Sequence, residues 1–168
     1  MHIRRITHAS QAELEALSDI LIDCVEGGAS VSFMLPMTKK KAIAFWRKVV
    51  ESAAREERVL LVAEEGGRML GTVQVVLDMP ENQPHRGDVS KMLVVRSARK
   101  KGIGEALMRA AESAALAERK TLLVLDTASA EAERLYARCG WQRVGTVPDY
   151  ALLPDGRSCD TVYFYKKM

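Results

Sequence analysis

Aromatic residues are scarce in this chain: three Phe, two Trp and four Tyr among 168 residues. Platforms on which nucleic-acid bases could stack are therefore few. A dominant charge is missing too, with 25 Lys and Arg against 22 Asp and Glu and a net charge of +3. A nucleic-acid-binding face would need a stronger, clustered basic excess. The three cysteines, Cys24, Cys139 and Cys159, are odd in number and fit no zinc or redox spacing; they read as thiols in a reducing cytoplasm. His2, His8 and His85 lie far apart and lack ligand-type neighbours, so no metal is expected. No apolar run approaches a membrane span, and the start, MHIRRITHAS, has charge but no apolar leader region. These exclusions leave a globular, cytoplasmic chain of single-domain length, 48% apolar and 28% charged.

Periodicity then supplies the elements. His2 to Ile6 alternates weakly and predicts a short edge strand. Ser10 caps a helix whose apolar stripe is Leu14, Leu17, Leu21 and Val25, and Gly27-Gly28 stops it. The next stretch, GASVSFMLPM, is an apolar loop, which either packs under another element or lines a pocket. Thr38 caps a second helix with a stripe at Ala42, Phe45, Val49 and Ala53. Val59 to Ala63 and Met69 to Leu77 form a hairpin about Gly66-Gly67, and Val89 to Val95 is a further strand. A helix over Gly102 to Arg119 buries Ile103, Leu107, Ala110, Ala114 and Ala117. Leu122 to Leu125 reads as a buried parallel strand. Ser129 caps a short helix ending at Gly140, and strands at Trp141 to Val147 and Thr161 to Lys166 close the chain. The order predicts a mixed sheet with helices on both faces, formed by residues 1–168 as one domain.

One turn stands out. Arg99-Lys100-Lys101-Gly102-Ile103-Gly104 joins a strand to a helix start. Backbone amides there, at the positive end of the helix, suit an anion. The alternative is a helix start whose glycines serve tight packing. The turn is not a nucleotide P-loop, since no Lys-Ser/Thr follows Gly104, and not a dinucleotide fingerprint, since residue 107 is Leu.

The same hexapeptide resembles the R/Q-x-x-G-x-G/A signature of the GNAT superfamily of acetyl-coenzyme A-dependent N-acetyltransferases. LDTASAEAERLYARCGWQRVG resembles that family's second motif, and the two together cover residues 88 to 147. The resemblance implies an α+β, three-layer α/β/α fold around a mixed, mostly antiparallel sheet of about seven strands, with parallel strands four and five splayed apart. It implies that the anion is the pyrophosphate of acetyl-CoA. Residues Lys100, Lys101, Gly102, Ile103 and Gly104 would supply amides, with Arg99 and the lysines adding charge. Leu93 and Val94 would face pantetheine. Many relatives carry asparagine at the position of Ser129, so that contact would be a shorter one, and Arg96 replaces a frequent proline. A narrower likeness, in GGASVSFM, DVSKMLVVRSARKKGIG and PDYALLPDGR, is to the tabtoxin resistance acetyltransferase branch, which acetylates a small β-lactam amino acid.

Acetyl transfer to an amine needs a base, because alkyl amines have pKa values of about 10. It also needs a donor for the oxyanion and an acid near the leaving thiolate. By motif position Tyr136 is the candidate acid, with a core-packing tyrosine as the alternative. Asp88 and Asp126 are candidate bases. The alternatives are a carboxylate paired with Arg86 and a turn or helix cap. Glu26, Phe33, Trp46, Tyr150 and Arg157 are candidates to shape the acceptor site, with packing or plain exposure as the competing readings. The expected acceptor is a primary amine of a small, amino-acid-like molecule, met by a monomer or homodimer that engages neither nucleic acid nor membrane. A protein or peptide N-acetyltransferase and a non-catalytic acetyl-CoA sensor are the other two readings.

Overall fold

The computed structural model describes Met1–Met168. In chain order the elements are β1 (His2–Ile6), α1 (Gln11–Glu26), α2 (Lys39–Ala54), β2 (Arg58–Glu65), β3 (Arg68–Val76), β4 (Arg86–Val94), α3 (Ile103–Ala117), β5 (Leu122–Thr127), α4 (Ala130–Arg138), β6 (Gln142–Leu152) and β7 (Ser158–Lys167). A single 3-10 turn, Arg96–Ala98, leads from β4 toward α3. The seven strands form one sheet in the order β1-β2-β3-β4-β5-β7-β6. Every neighbouring pair is antiparallel except β4 and β5. This is the α+β, three-layer arrangement expected from the sequence.

Strand β2 shows how the sheet divides the interior. Leu60 and Val62 face a core shared with Leu17, Leu21 and Trp46 of α1 and α2. Val59, Leu61 and Ala63 face a second core with Leu107, Met108 and Ala111 of α3. Alternate side chains leave a strand on opposite faces, so a strand covered on both sides reads as an unbroken apolar run. At the start of α1, Ser10 and Glu13 form a reciprocal capping box.

Two helices bury a stripe that departs in part from the one predicted. In α2 Ala42, Val49 and Ala53 are buried as predicted, but the aromatic in the core is Trp46, at 0% exposure, while Phe45 is only half-buried and stacks edge-on against Phe33 at 5.1 Å. Burying the larger indole removes more apolar area from water. In α3 the buried set is Ile103, Leu107, Met108, Ala111 and Ala115, and Ala117 is exposed. A methionine in the core outweighs the alanines on which the predicted stripe rested. The last hairpin is also longer than expected, because β6 runs on to Leu152 through a register shift between Val147 and Ala151.

Candidate active site

β4 and β5 pair at only three positions, Arg86 with Leu122, Gly87 with Leu123 and Asp88 with Val124. Beyond them the strands part. The parting follows a break in β4 itself: its register with β3 shifts between Thr72 and Gln74, opposite Lys91, whose φ is 50°. The bulge reverses which face the following side chains take. Val89 accordingly packs with the α3 core, whereas Leu93 packs with the core of α1 and α2. The gap opens into a cleft of about 590 Å³ lined by β4 residues Val89 to Val94, by the turn before α3 and by Asp126 to Ser129.

At one end of this cleft is the RKKGIG turn. Backbone amides from Lys100 to Glu105 have no backbone acceptor, and the first intrahelical bond runs from Ala106 to the Gly102 carbonyl at 3.0 Å. A row of free N–H groups at the positive end of a 15-residue helix fits a pyrophosphate. Gly102 caps the helix at φ 80°, a conformation that costs a side-chain-bearing residue energy. Gly104 serves packing: a Cβ there would lie 3.0 Å from Leu135 Cδ2 of α4. Arg99 lines the cleft, but its Nε donates back to the Val94 carbonyl at 3.2 Å. Lys100 lines the cleft too. Lys101 does not and is exposed, because Lys100 takes a positive φ of 62° and turns the chain between them. The Ile103 side chain belongs to the core, so only its amide is available at the turn. Arg96, where a proline was expected, donates its amide to Asp23 Oδ2 at 2.7 Å, a bond that proline cannot make.

Tyr136 lies along the far wall of the cleft, 5% exposed, with its ring against Phe164 and Trp141. Burial pushes its phenol above the ordinary tyrosine range, and the charge of Asp126 pushes in the same direction. The hydroxyl therefore stays protonated at neutral pH and is a donor. Ser129 is also in the wall, and its Oγ caps α4 by accepting from the Ala132 amide at 3.3 Å. Asp126 stands where this cleft meets a second cavity of about 350 Å³ and lines both. Thr161 Oγ1 donates to Asp126 Oδ2 at 2.7 Å.

The second cavity lies between the α1–α2 loop and the β6–β7 hairpin. Phe33 and Met34 form one side and Tyr150 and Leu152 the other. Met34 is 38% exposed on this wall. The Leu35 amide donates to the Pro154 carbonyl at 3.0 Å, tying loop to hairpin beside this cavity. The Tyr150 and Tyr163 hydroxyls lie 2.9 Å apart.

Four expected residues stand elsewhere. Asp88 lines neither cavity; its carboxylate is paired with Arg86, at a level where β4 and β5 are still joined. Trp46 is core. Glu26 is exposed at the end of α1, rotated off the face that carries Cys24 and Val25. Arg157 is exposed and pairs with Asp155 at 2.8 Å in its own turn. Asp160 and Thr161 of β7 and Lys91 of β4 line the cavities without having been singled out from the sequence. The available signal was a charged residue inside an apolar strand, in DVSKMLVV and CDTVYF.

The sequence profile of the acetyltransferase (GNAT) domain matches residues 56–143, just over half of the chain. The chain belongs to the GNAT acetyltransferase family. Membership makes it an N-acetyltransferase with acetyl-CoA as cosubstrate, and the cleft, its free amides and its cationic turn fit that molecule. Solved structures agree on the fold. A ribosomal-protein-alanine N-acetyltransferase from Brucella melitensis is 24% identical, with 100% of both chains covered and a TM-score of 0.85. An N-acetyltransferase from Staphylococcus aureus Mu50 is 25% identical over 99% of this chain and 97% of that one, with a TM-score of 0.81. A phosphinothricin acetyltransferase from Sinorhizobium meliloti, solved in complex with acetyl-CoA, is 18% identical over 99% and 88%, with a TM-score of 0.80. No helix of this GNAT acetyltransferase is long and apolar enough to cross a membrane.

Proposed function

We propose that this GNAT acetyltransferase, folded as one domain over residues 1–168, moves the acetyl group directly from acetyl-CoA to the primary amine of a small, amino-acid-like molecule. On this reading it is a detoxifying enzyme of the kind represented by the tabtoxin resistance branch. The observation that carries the reading is the junction at Asp126, where the cleft that fits the coenzyme opens into a small cavity roofed by the apolar loop. A cavity of about 350 Å³ suits a compact acceptor. The bond from Leu35 to Pro154 holds the loop against the hairpin beside this cavity, which favours a compact acceptor over a peptide in an open groove.

The roles follow from position. Asp126 takes the proton from the attacking amine, directly or through one water, and Thr161 orients its carboxylate. Tyr136 donates its proton toward the departing thiolate. The amides of Lys100 to Gly104 hold the pyrophosphate, with Arg99 and Lys100 adding charge. Phe33 and Tyr150 wall the acceptor. Asp88 acts at most through the field it adds from the closed end of the strands.

The test is thiol release from acetyl-CoA across a panel of amino acids, a β-lactam amino-acid toxin, glutamine-like inhibitors, aminoglycosides, polyamines and an N-terminal peptide. Release with small amino-acid-like amines is expected. Release with the peptide alone would replace this reading by protein acetylation. Tight coenzyme binding with no release on any acceptor would replace it by a sensor.

A further inference from the structure

Lys91 is a cation in an unusual place. It sits at the bulge of β4, lines the coenzyme cleft and points its Nζ toward the α1–α2 loop, 3.1 Å from Ser32 Oγ. Ser32 lines both cavities, so the ammonium lies near their junction. Asp126 acts on it electrostatically but forms no ion pair with it, and Arg58 acts against it. Burial, the largest influence, pushes Lys91 below the ordinary lysine range. A cation held partly out of water with only a neutral hydroxyl for a partner is costly, and an arriving anion would remove much of that cost.

The surroundings say which anion. The other basic residues of the cleft, Arg99, Lys100 and Arg138, are on the α3 turn and at the end of α4. The second cavity has two acidic residues in its wall, Asp126 and Asp160, and no basic one. Negative charge on one side and a single ammonium on the other form a frame for a zwitterion. The amine meets Asp126, and the anionic group beside it meets Lys91.

We infer that Lys91, with Ser32, reads the α-carboxylate of the acceptor, so that the enzyme acts on free α-amino acids and discriminates against amines lacking that group. The assignment rests on the small-amine reading above. Neither Lys91 nor Ser32 takes part in the proton transfers, so the effect belongs to acceptor binding.

The experiment compares L-amino acids with their own α-carboxamides, using wild type, Lys91→Met and Lys91→Arg, and measures acetyl-CoA affinity in each protein by calorimetry. The carboxamide amine loses its proton more readily, so a preference for the acid cannot come from intrinsic reactivity. Wild type is expected to favour the acid about 10- to 100-fold in kcat/KM, the size of a charge-assisted contact, with the difference residing in KM. Lys91→Met collapses the ratio toward one, while Lys91→Arg keeps part of it. Equal use of acid and carboxamide by wild type overturns the assignment and leaves small-amine acetylation standing. An undiminished preference in a Lys91→Met protein that still binds acetyl-CoA also overturns it. If Lys91→Met does not fold, the wild-type ratio and Lys91→Arg decide. Acetylation of neither acid nor carboxamide, with peptide amines accepted or no turnover at all, removes both the assignment and the reading beneath it.

Discussion

Thr161 on β7 donates its hydroxyl to Asp126 near the end of β5, at 2.7 Å, and is itself 2% exposed. A buried hydroxyl thus orients the carboxylate at the junction of the two cavities. Asp126→Asn keeps the shape and removes the base, so kcat is expected to fall about 10²- to 10⁴-fold, the usual range for general catalysis. Thr161→Val leaves the carboxylate in place but unoriented, and about a tenfold fall in kcat/KM is expected. Steady-state kinetics on both variants, with acetyl-CoA binding as control, tests the pair. Equal, small effects would remove Asp126 from the mechanism.

Tyr136→Phe keeps the ring that packs on Phe164 and Trp141 and removes only the donor. The expected result is a thermal midpoint close to wild type with kcat lowered about 10²-fold. Because burial holds this phenol above the ordinary tyrosine range, the wild-type rate should show no loss from Tyr136 ionisation as pH rises to about 10, the free-tyrosine value. A descending limb that vanishes in Tyr136→Phe would contradict this.

At Gly104 the neighbour is Leu135, 3.0 Å from a built Cβ. Gly104→Val is expected to spread α3 from α4, cost about 1–3 kcal/mol by overpacking and raise KM for acetyl-CoA more than it lowers kcat. Chemical denaturation and coenzyme titration separate the two effects. Unchanged stability would mean that the helices yield freely there.

Arg4 bonds Glu13 at 2.6 Å and Glu64 at 2.7 Å, joining β1, α1 and β2. The Arg4 hydrogen bond holds Glu64 below the usual carboxylate range; the Ser10 amide and then Arg4 do the same for Glu13. A depressed folded-state pKa adds stability that is complete above the unfolded value of about 4.3 and fades as pH falls through the folded one. Arg4→Met is therefore expected to be less stable than wild type at pH 7, with the two curves converging in acid. The groups are near the surface, which keeps the difference small. Urea denaturation between pH 7 and pH 3 measures it.

How much of this was legible depends on the range of each signal. The helix starts at Ser10, Thr38 and Ser129 and the RKKGIG turn were readable because capping and anion cradles are local chemistry. The splayed strands and the cofactor came from motif likeness. Whether Trp46 lines the cleft or packs is open in the sequence because one helical step separates it from Phe45, and only packing against Leu17 and Leu21 decides which aromatic enters the core. Lys91 and Asp160 were missed for a related reason. Facing a cavity depends on a bulge and on a partner strand far along the chain, and neither is written in the neighbouring residues.

Three residue pairs are all that join β4 to β5. The sheet is therefore two jaws meeting at one end of a seam, with Gly87 on the hinge line, its Cβ position 3.2 Å from both Leu123 Cδ2 and the Val76 carbonyl. Leverage follows. A small shift where the jaws meet becomes a larger one at the mouth, where the coenzyme cleft and the acceptor cavity share Asp126 and Ser32 as a common wall. A substrate that wedges the mouth would reset it for the other, and by linkage the factor by which acetyl-CoA changes acceptor affinity would equal the factor by which the acceptor changes acetyl-CoA affinity.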